Sequence, residues 1–253
     1  PWVGLKNFEF LFATDDAWII TRNTLLYNFA FIIINTVLGI VFAIFICDTI
    51  SKKLKKVYQS AILFPFLMSA IIIGYVVFAF LSMQNGIMNK SILPLFGLDP
   101  IQWYNEPKYW PFILILVNTW KGVGYGCLIY ISSINGIDPT YFEAARLDGA
   151  TKWQQIRYIT LPTLVPTIIT LTLFSIGKIF YSDFGLFYQV PRNSGTLYST
   201  TNVIDTYVYR GLMQLGNVGM ASAAGFYQSI VGFFLVLISN GVVRKVSKEN
   251  ALF

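Results

Sequence analysis

The sequence predicts an all-α membrane protein, a polytopic bundle of helices, and three observations support that prediction. Hydrophobic residues make up 55% of the 253 residues, whereas charged residues make up 12%. Soluble domains carry about 25% charged residues, roughly twice that share. The mean hydropathy is +0.61, and apolar runs of about 20 residues, the length needed to cross a bilayer, recur along the chain. Together these features place the chain in the lipid bilayer.

Five apolar runs are candidate membrane spans, each bounded by polar or Gly/Pro-rich sequence. In chain order they are residues 25–47, 57–81, 110–132, 161–181 and 221–243. Residues 25–243 therefore form the predicted transmembrane domain, between an N-terminal segment (1–24) and a C-terminal tail (244–253). The glycines and prolines inside the runs are compatible with membrane helices, in which both are common.

The lysines and arginines predict the orientation of these spans. Three segments rich in them lie on alternate sides of successive spans, and a cytoplasmic excess of Lys and Arg sets topology. The segments are residues 51–56, 138–160 and 244–253. Residues 1–24, 82–109 and 182–220 are then external. The net charge of +6 is explained by this orientation signal, without a nucleic-acid partner. An external start without a signal-peptide pattern leads us to expect a sixth span upstream.

This topology is testable with single cysteines in a chain that lacks Cys47 and Cys127. A cysteine at Lys90 should react with a membrane-impermeant thiol reagent added to intact cells, because that loop is predicted to be external. A cysteine at Leu54 should react only after the cells are opened. Labelling of Leu54→Cys but not of Lys90→Cys would contradict the assignment.

Several chemistries are disfavoured by composition. The chain has no histidine, the commonest general base and metal ligand. Cys47 and Cys127 both lie in apolar runs, and no phosphate-binding GxxxxGK[ST] loop occurs. A membrane-embedded enzyme would need a His or carboxylate cluster. A channel or proton-coupled secondary transporter stays open as an alternative, although internal repeats and acidic residues deep in the spans, typical of such proteins, are not evident.

One cytoplasmic segment, the elbow (residues 138–160), carries strong local helix signals. Asp138-Pro139 predicts a helix start, with aspartate as the N-cap and proline at the first helical position. Gly149 predicts its end, since glycine adopts the left-handed conformation without a Cβ penalty. Thr151 and Gln154 have the spacing of a capping box and predict a second short helix. The elbow is therefore a helix–turn–helix that presents a docking surface, or else a solvated loop.

The elbow resembles the EAA signature of binding-protein-dependent ABC importer permeases. The pattern is Glu-Ala-Ala, three residues, Gly, nine residues, Ile, one residue, Leu-Pro, and seven positions match it: Glu143, Ala144, Ala145, Gly149, Ile159, Leu161 and Pro162. The resemblance implies the type I permease fold and a multi-pass protein of the bacterial cytoplasmic membrane. It also implies that these seven residues couple the permease to an ATPase, with Glu143 pairing with a basic residue.

The resemblance further implies the partners. They are a second homologous permease, two ATPase subunits that bind ATP and Mg²⁺, and an external solute-binding protein; the chain itself would bind no cofactor and hydrolyse no ATP. GLKNF at residues 4–8, Asn23-Thr24 and KGVGY at 121–125 resemble the carbohydrate branch. The stretches DFGLFYQVPRNSG (183–195) and VIDTYVYRGLM (203–213) resemble the subgroup that imports complex oligosaccharides and polysaccharide fragments. A non-sugar solute is the alternative substrate.

Polar residues in or beside the spans are the candidates for the substrate path, because such residues are costly in a membrane and often functional. They are Asn118, Lys121 and Tyr125 on one face of the third span, Lys178 and Tyr181 on one face of the fourth with Asp183 just beyond it, and Tyr227 and Gln228 in the fifth. Aromatic faces suit sugar rings, and amides and charges suit hydroxyl groups. Lys121 and Lys178 favour an acidic or heavily hydroxylated glycan. Packing between helices is the alternative role for each residue.

Overall fold

The computed structural model describes residues 3–9 and 15–246, and in those ranges the chain is helical without a β-strand, as predicted. The α-helices, numbered in chain order, are α1 Asp15–Asp48, α2 Lys52–Leu63, α3 Ala70–Leu81, α4 Leu93–Leu95, α5 Trp110–Asn135, α6 Pro139–Leu147, α7 Lys152–Gln155, α8 Leu161–Ile176, α9 Phe184–Gln189, α10 Tyr198–Thr201, α11 Ile204–Leu215 and α12 Val218–Val246.

Within the described residues, four helical stretches are long and apolar enough to cross a membrane. They are Asp16–Asp48, Pro107–Asn135, Lys152–Ile176 and Val218–Lys245. These correspond to the first, third, fourth and fifth predicted spans. The second predicted span corresponds to a bent pair of helices, so the count becomes five if that pair crosses as one span.

The second span is not the continuous helix that the apolar run 57–81 predicts. Lys52–Leu67 and Ala70–Leu81 meet at an angle of 98°. The chain tightens into a 3₁₀-helix at Phe64–Leu67, where Pro65 has no N–H to donate to a helical hydrogen bond. Ser69 then begins α3 afresh, since its side-chain oxygen accepts a hydrogen bond from the Ile72 backbone N–H (3.3 Å). The hydropathy of this segment identifies it as apolar but contains no information about the bend between its two helices.

The fourth span also ends earlier than predicted, at Ile176 instead of residue 181. Gly177 follows, and the Tyr181 N–H donates to the Lys178 carbonyl (2.8 Å) to close a turn. Lys178 and Tyr181 therefore lie in this turn. They do not share a helix face, contrary to the prediction from their spacing. Beyond this turn the predicted outer loop 182–220 contains three helices, α9, α10 and α11. Among these, α11 ends at Gly216 in the left-handed conformation (φ +62°).

The chain divides into two compact units. The first comprises the described parts of residues 1–30, 68–118 and 177–234, and the second those of residues 31–67, 119–176 and 235–253. In the second unit, a buried cluster joins α1, α5 and α8: Ala43, Ile46, Cys127, Tyr130, Ile131 and Leu164. In the first unit, two hydrogen bonds join α1 to the start of α11. Asn23 Nδ2 donates to the Asn202 carbonyl (3.0 Å), and the Ile204 N–H donates to Thr24 Oγ1 (3.1 Å).

Candidate functional site: the elbow and the polar residues of the spans

The first helix of the elbow, α6, begins as its sequence predicts. Asp138 has an extended backbone, and its carboxylate accepts a hydrogen bond from the Thr140 N–H (2.9 Å). That bond lowers the pKa of Asp138, because it favours the charged form. Pro139 occupies the first helical position, and the helix ends at Leu147. The predicted helix and its N-cap are confirmed.

The turn between α6 and α7 depends on Gly149. Its φ is +78°, in the left-handed region that a residue with a Cβ enters at a cost. The Ala150 N–H donates back to the Ala145 carbonyl (2.8 Å) and closes the helix end. Thr151 and Gln154 form the predicted capping box: the Gln154 N–H donates to Thr151 Oγ1 (3.3 Å), and the Thr151 N–H donates to Gln154 Oε1 (2.7 Å).

The second helix of the elbow, α7, has a bond within the elbow and links to α1 and α8 of the second unit. Gln155 is buried, and its Nε2 donates to the Ala150 carbonyl (3.1 Å). The Lys152 ammonium pairs with the Asp48 carboxylate at the end of α1. A π-helical turn, Ile156–Thr160, connects α7 to α8 without a break. The second half of the elbow is thus the start of a membrane-length helix, so displacement of α7 would be transmitted directly to α8.

Four large apolar side chains of the elbow are exposed, in a segment that the Lys/Arg distribution predicts to be cytoplasmic. Their exposed fractions are high: Tyr141 64%, Leu147 89%, Trp153 67% and Tyr158 69%. Glu143 and Ala144 of the EAA signature are exposed on α6 as well. An exposed apolar surface rimmed by charge is typical of a protein–protein contact. These four residues are not among those predicted from the sequence, although aromatic residues within a cytoplasmic loop are a signal that could have indicated them.

The remaining predicted coupling residues differ in their exposure to solvent. Ala145, Ile159 and Leu161 are half-buried, and Pro162 is exposed at the start of α8. Their role in coupling stays a prediction.

In α5, the predicted path residues follow one another at the expected helical spacing. Asn118 and Lys121 are half-buried, while Tyr125 is exposed and stacks on Phe66, with ring centroids 5.3 Å apart. An exposed aromatic pair of this kind is chemically suited to a sugar ring.

The other predicted path residues have structural partners in the first unit. Asp183 Oδ1 accepts the Leu186 N–H (3.1 Å) and caps α9. Gln228 is buried, and its Nε2 donates to the Phe180 carbonyl (2.8 Å). Tyr181 Oη lies 3.1 Å from Ser229 Oγ, within hydrogen-bonding distance. The Tyr227 ring packs edge-on against Phe180. The Lys178 side chain is exposed. These contacts favour a packing role for Asp183 and Gln228, the alternative that the sequence left open.

A half-buried carboxylate, Asp205, lies beside Gln228 and is not among the residues predicted from the sequence. Asp205 Oδ2 accepts hydrogen bonds from the Ser182 N–H (2.7 Å) and from Gln228 Nε2 (3.4 Å). Burial raises the pKa of Asp205, and these two donors partly offset the rise. Its partners come from 23 residues away in sequence, so no local pattern indicates them. Among the residues that the structure describes, no three Cys, Asp or Glu side chains group as metal ligands.

A helical membrane chain with a capped EAA elbow that continues into a membrane-length helix defines an importer permease. The family model "binding-protein-dependent transport system inner membrane component" matches residues 35–248, and the chain belongs to this family. It is thus a multi-pass membrane permease subunit of an ABC importer, and the ATP is hydrolysed by partner subunits.

The chain is similar to permeases of glycan importers along nearly its whole length. It is 29% identical to the polygalacturonan/rhamnogalacturonan transport system permease protein of Bacillus subtilis (strain 168), over 98% of this chain and 77% of that protein. It matches a chain of a crystal structure of a bacterial ABC transporter involved in the import of the acidic polysaccharide alginate. There the TM-score is 0.91 and the identity 32%, over 98% of this chain and 85% of that one.

A second alginate transporter structure, in complex with an alginate pentasaccharide-bound periplasmic protein, matches with a TM-score of 0.90 at 32% identity, over 97% of this chain and 84% of that one. The predicted family and the type I permease fold are confirmed.

Proposed function

We propose that this permease carries an oligosaccharide or a polysaccharide fragment that an external solute-binding protein delivers. The observation that carries the proposal is the likeness to the alginate importer chain, with 32% identity and a TM-score of 0.91 across 98% of this chain. The exposed Phe66–Tyr125 pair adds support, because aromatic faces pack against the apolar C–H faces of sugar rings. A second permease completes the path.

The elbow is the proposed point of coupling to the ATPase subunits. Its exposed apolar side chains would enter a groove on one ATPase subunit, and Glu143 would pair with a basic residue there. When ATP and Mg²⁺ close the ATPase dimer, the elbows of the two permeases would move together. Because α7 passes into α8 without a break, that movement would turn the membrane helices and switch the side to which the path opens. This is a coupling free energy between the nucleotide site and the substrate path.

The substrate class is tested by uptake into proteoliposomes that contain the complete complex, with the binding protein outside and ATP inside. The panel comprises alginate and polygalacturonan tetrasaccharides, neutral tetrasaccharides, free monosaccharides and a tetrapeptide. We expect ATP-dependent uptake of a tetrasaccharide and little uptake of the monosaccharides or the peptide. Vesicles without ATP are the control. Uptake restricted to the peptide or to a monosaccharide would contradict the proposal, and equal uptake without ATP would favour a channel or a secondary transporter.

A further inference from the structure

Two clefts of the first unit share a wall made by Phe78 and Arg192. The Tyr75 cleft, of about 380 Å³, lies between α3 and the end of α9 and is lined by Ile71, Gly74, Tyr75, Phe78, Tyr188, Gln189, Arg192 and Asn193. The Asn85 cleft, of about 690 Å³, is lined by Phe78, Ala79, Ser82, Met83, Gln84, Asn85, Tyr104, Arg192 and Ser194. Each cleft is lined partly by residues 71–79, near the external end of the second predicted span, and partly by the segments 82–109 and 182–220, which the Lys/Arg distribution predicts to be external.

The backbone around Arg192 has a conformation that is unusual for its residues. Arg192 (φ +56°) and Asn193 (φ +49°) are both left-handed without being glycine, an arrangement that surrounding contacts must maintain. The Asn193 N–H donates to the Tyr188 carbonyl (3.0 Å). The Asn193 side-chain oxygen accepts hydrogen bonds from Tyr198 Oη (3.0 Å) and from Arg210 Nη1 (3.0 Å). These hydrogen bonds of Asn193 stabilise the turn, and the turn fixes the backbone position of Arg192.

The guanidinium of Arg192 is oriented by an aromatic ring, and no carboxylate among the described residues pairs with it. Its central carbon lies 4.2 Å from the centroid of the Phe78 ring, a stacking that leaves the N–H groups at the guanidinium edge available. In the part of the chain that the structure describes, no carboxylate forms an ion pair with Arg192. The side chain is exposed, so an anion can reach it from either cleft.

The other lining groups have the chemistry of a sugar site. Tyr75 and Tyr188 in one cleft, and Tyr104 in the other, present aromatic rings, which pack against pyranose C–H groups. Amides and hydroxyls in both clefts can donate to and accept from sugar hydroxyl groups. Arginine binds carboxylates through two parallel hydrogen bonds. The two clefts meet at the Arg192 guanidinium. A chain of sugar units can occupy both clefts with a carboxylate at their junction, whereas a single protein side chain would occupy only one of them.

We propose that Arg192, stacked on Phe78 between the Tyr75 and Asn85 clefts, binds the carboxylate of a uronate unit in an acidic glycan at the external side of the permease. The site thereby selects acidic over neutral oligosaccharides. This inference rests on the proposed function in oligosaccharide import and adds to it a binding site and the charge of the substrate.

The test compares acidic and neutral glycans of equal length in the complete reconstituted transporter. The probes are alginate and polygalacturonan tetrasaccharides, each paired with its carboxyl-reduced, neutral counterpart. Arg192→Asn removes the guanidinium with a residue that tolerates the left-handed conformation, and Arg192→Gly removes it with one that favours that conformation. Lys108→Gln is the matched control, since Lys108 is an exposed cation of the same unit outside both clefts.

We expect both Arg192 variants to lower uptake of the acidic tetrasaccharide about tenfold, as for the loss of a hydrogen-bonded charge contact, and to leave uptake of its neutral counterpart unchanged. Lys108→Gln should behave as the wild type with both.

An equal fall for acidic and neutral glycans would overturn the proposal. So would weaker retention of the sugar-free binding protein by the Arg192 variants, because the partner would then be that protein. If the wild type carries only the neutral tetrasaccharides, Arg192 is not a uronate site, although oligosaccharide import stands. If it carries no glycan in either form, the proposed function itself fails.

Discussion

Gly149→Val is expected to uncouple ATP hydrolysis from transport while the permease still inserts and assembles in the membrane. Gly149 has φ +78°, and a β-branched residue in the left-handed region costs about 1–2 kcal/mol or more. Apart from Gly149 and its two chain neighbours, no described residue has an atom within 4 Å of the position that a Cβ would occupy, so the strain acts on the turn and not on packing. The elbow would change its angle, whereas the apolar spans that drive insertion would be untouched.

Asn at the same position provides the matched control for this prediction. Gly149→Asn adds a side chain of similar size to valine, but asparagine tolerates the left-handed conformation. We expect Gly149→Asn to retain most ATPase stimulation by the loaded binding protein and Gly149→Val to lose most of it. The measurement is the ATPase rate of the purified complex, with and without loaded binding protein, at equal permease content. Equal stimulation in the two variants would show that the elbow angle does not matter.

A charge reversal at Glu143 tests the same surface through a different mechanism. Glu143 is exposed on α6, so Glu143→Lys creates no clash within the chain. It would place a cation against the basic residue that we propose on the ATPase, and we expect the ATPase subunits to dissociate more readily during purification in detergent. Glu143→Gln, which removes the charge alone, should be milder. If Glu143→Lys and Gly149→Val both transport at the wild-type rate, the elbow is a solvated loop and the coupling proposal is wrong.

The elbow could be predicted from sequence because its determinants are local. Asp138, Gly149 and the Thr151–Gln154 pair each act within three or four residues of their own position. The apolar spans were predictable for a related reason, since length and hydropathy are properties of one segment. The direction in which a segment runs cannot be predicted from its length and hydropathy. The bend near Pro65 was therefore missed.

The candidate path residues show the corresponding limit. Asp183 and Gln228 are polar residues at the end of a span and within a span, which made them candidates. Their structural roles depend on contacts that the sequence does not reveal, such as the bond from Gln228 to the Phe180 carbonyl, 48 residues away. Arg192 was not a candidate, because neither its left-handed backbone nor its stacking on Phe78 across 114 residues of sequence has a local signal.

Gly124→Ala is expected to destabilise the second unit, although alanine is the better helix former. A Cβ on Gly124 would overlap the carbonyl oxygen of Ile62 and would lie 3.1 Å from Leu63 Cα. Both neighbours are backbone atoms, so no side-chain rotation can relieve the overlap, and α5 would have to move away from the end of α2. Overpacking of this kind costs about 1–3 kcal/mol or more, which exceeds the gain of about 1 kcal/mol from replacing a helical glycine.

Gly126→Ala, two residues further along α5, separates the overlap from the change in helix propensity. There, leaving aside the backbone of α5 itself, the nearest described atom to an added Cβ is in the Tyr130 ring at 4.0 Å, so only the gain in propensity should remain. We expect Gly124→Ala to lower the apparent melting temperature of the detergent-purified complex by about 5 °C. Gly126→Ala should leave it unchanged or slightly raised, as measured by the fraction that stays monodisperse in size-exclusion chromatography after heating. If the apparent melting temperature of Gly124→Ala equals or exceeds that of Gly126→Ala, the close approach of the backbones at Gly124 and Ile62 does not constrain the fold.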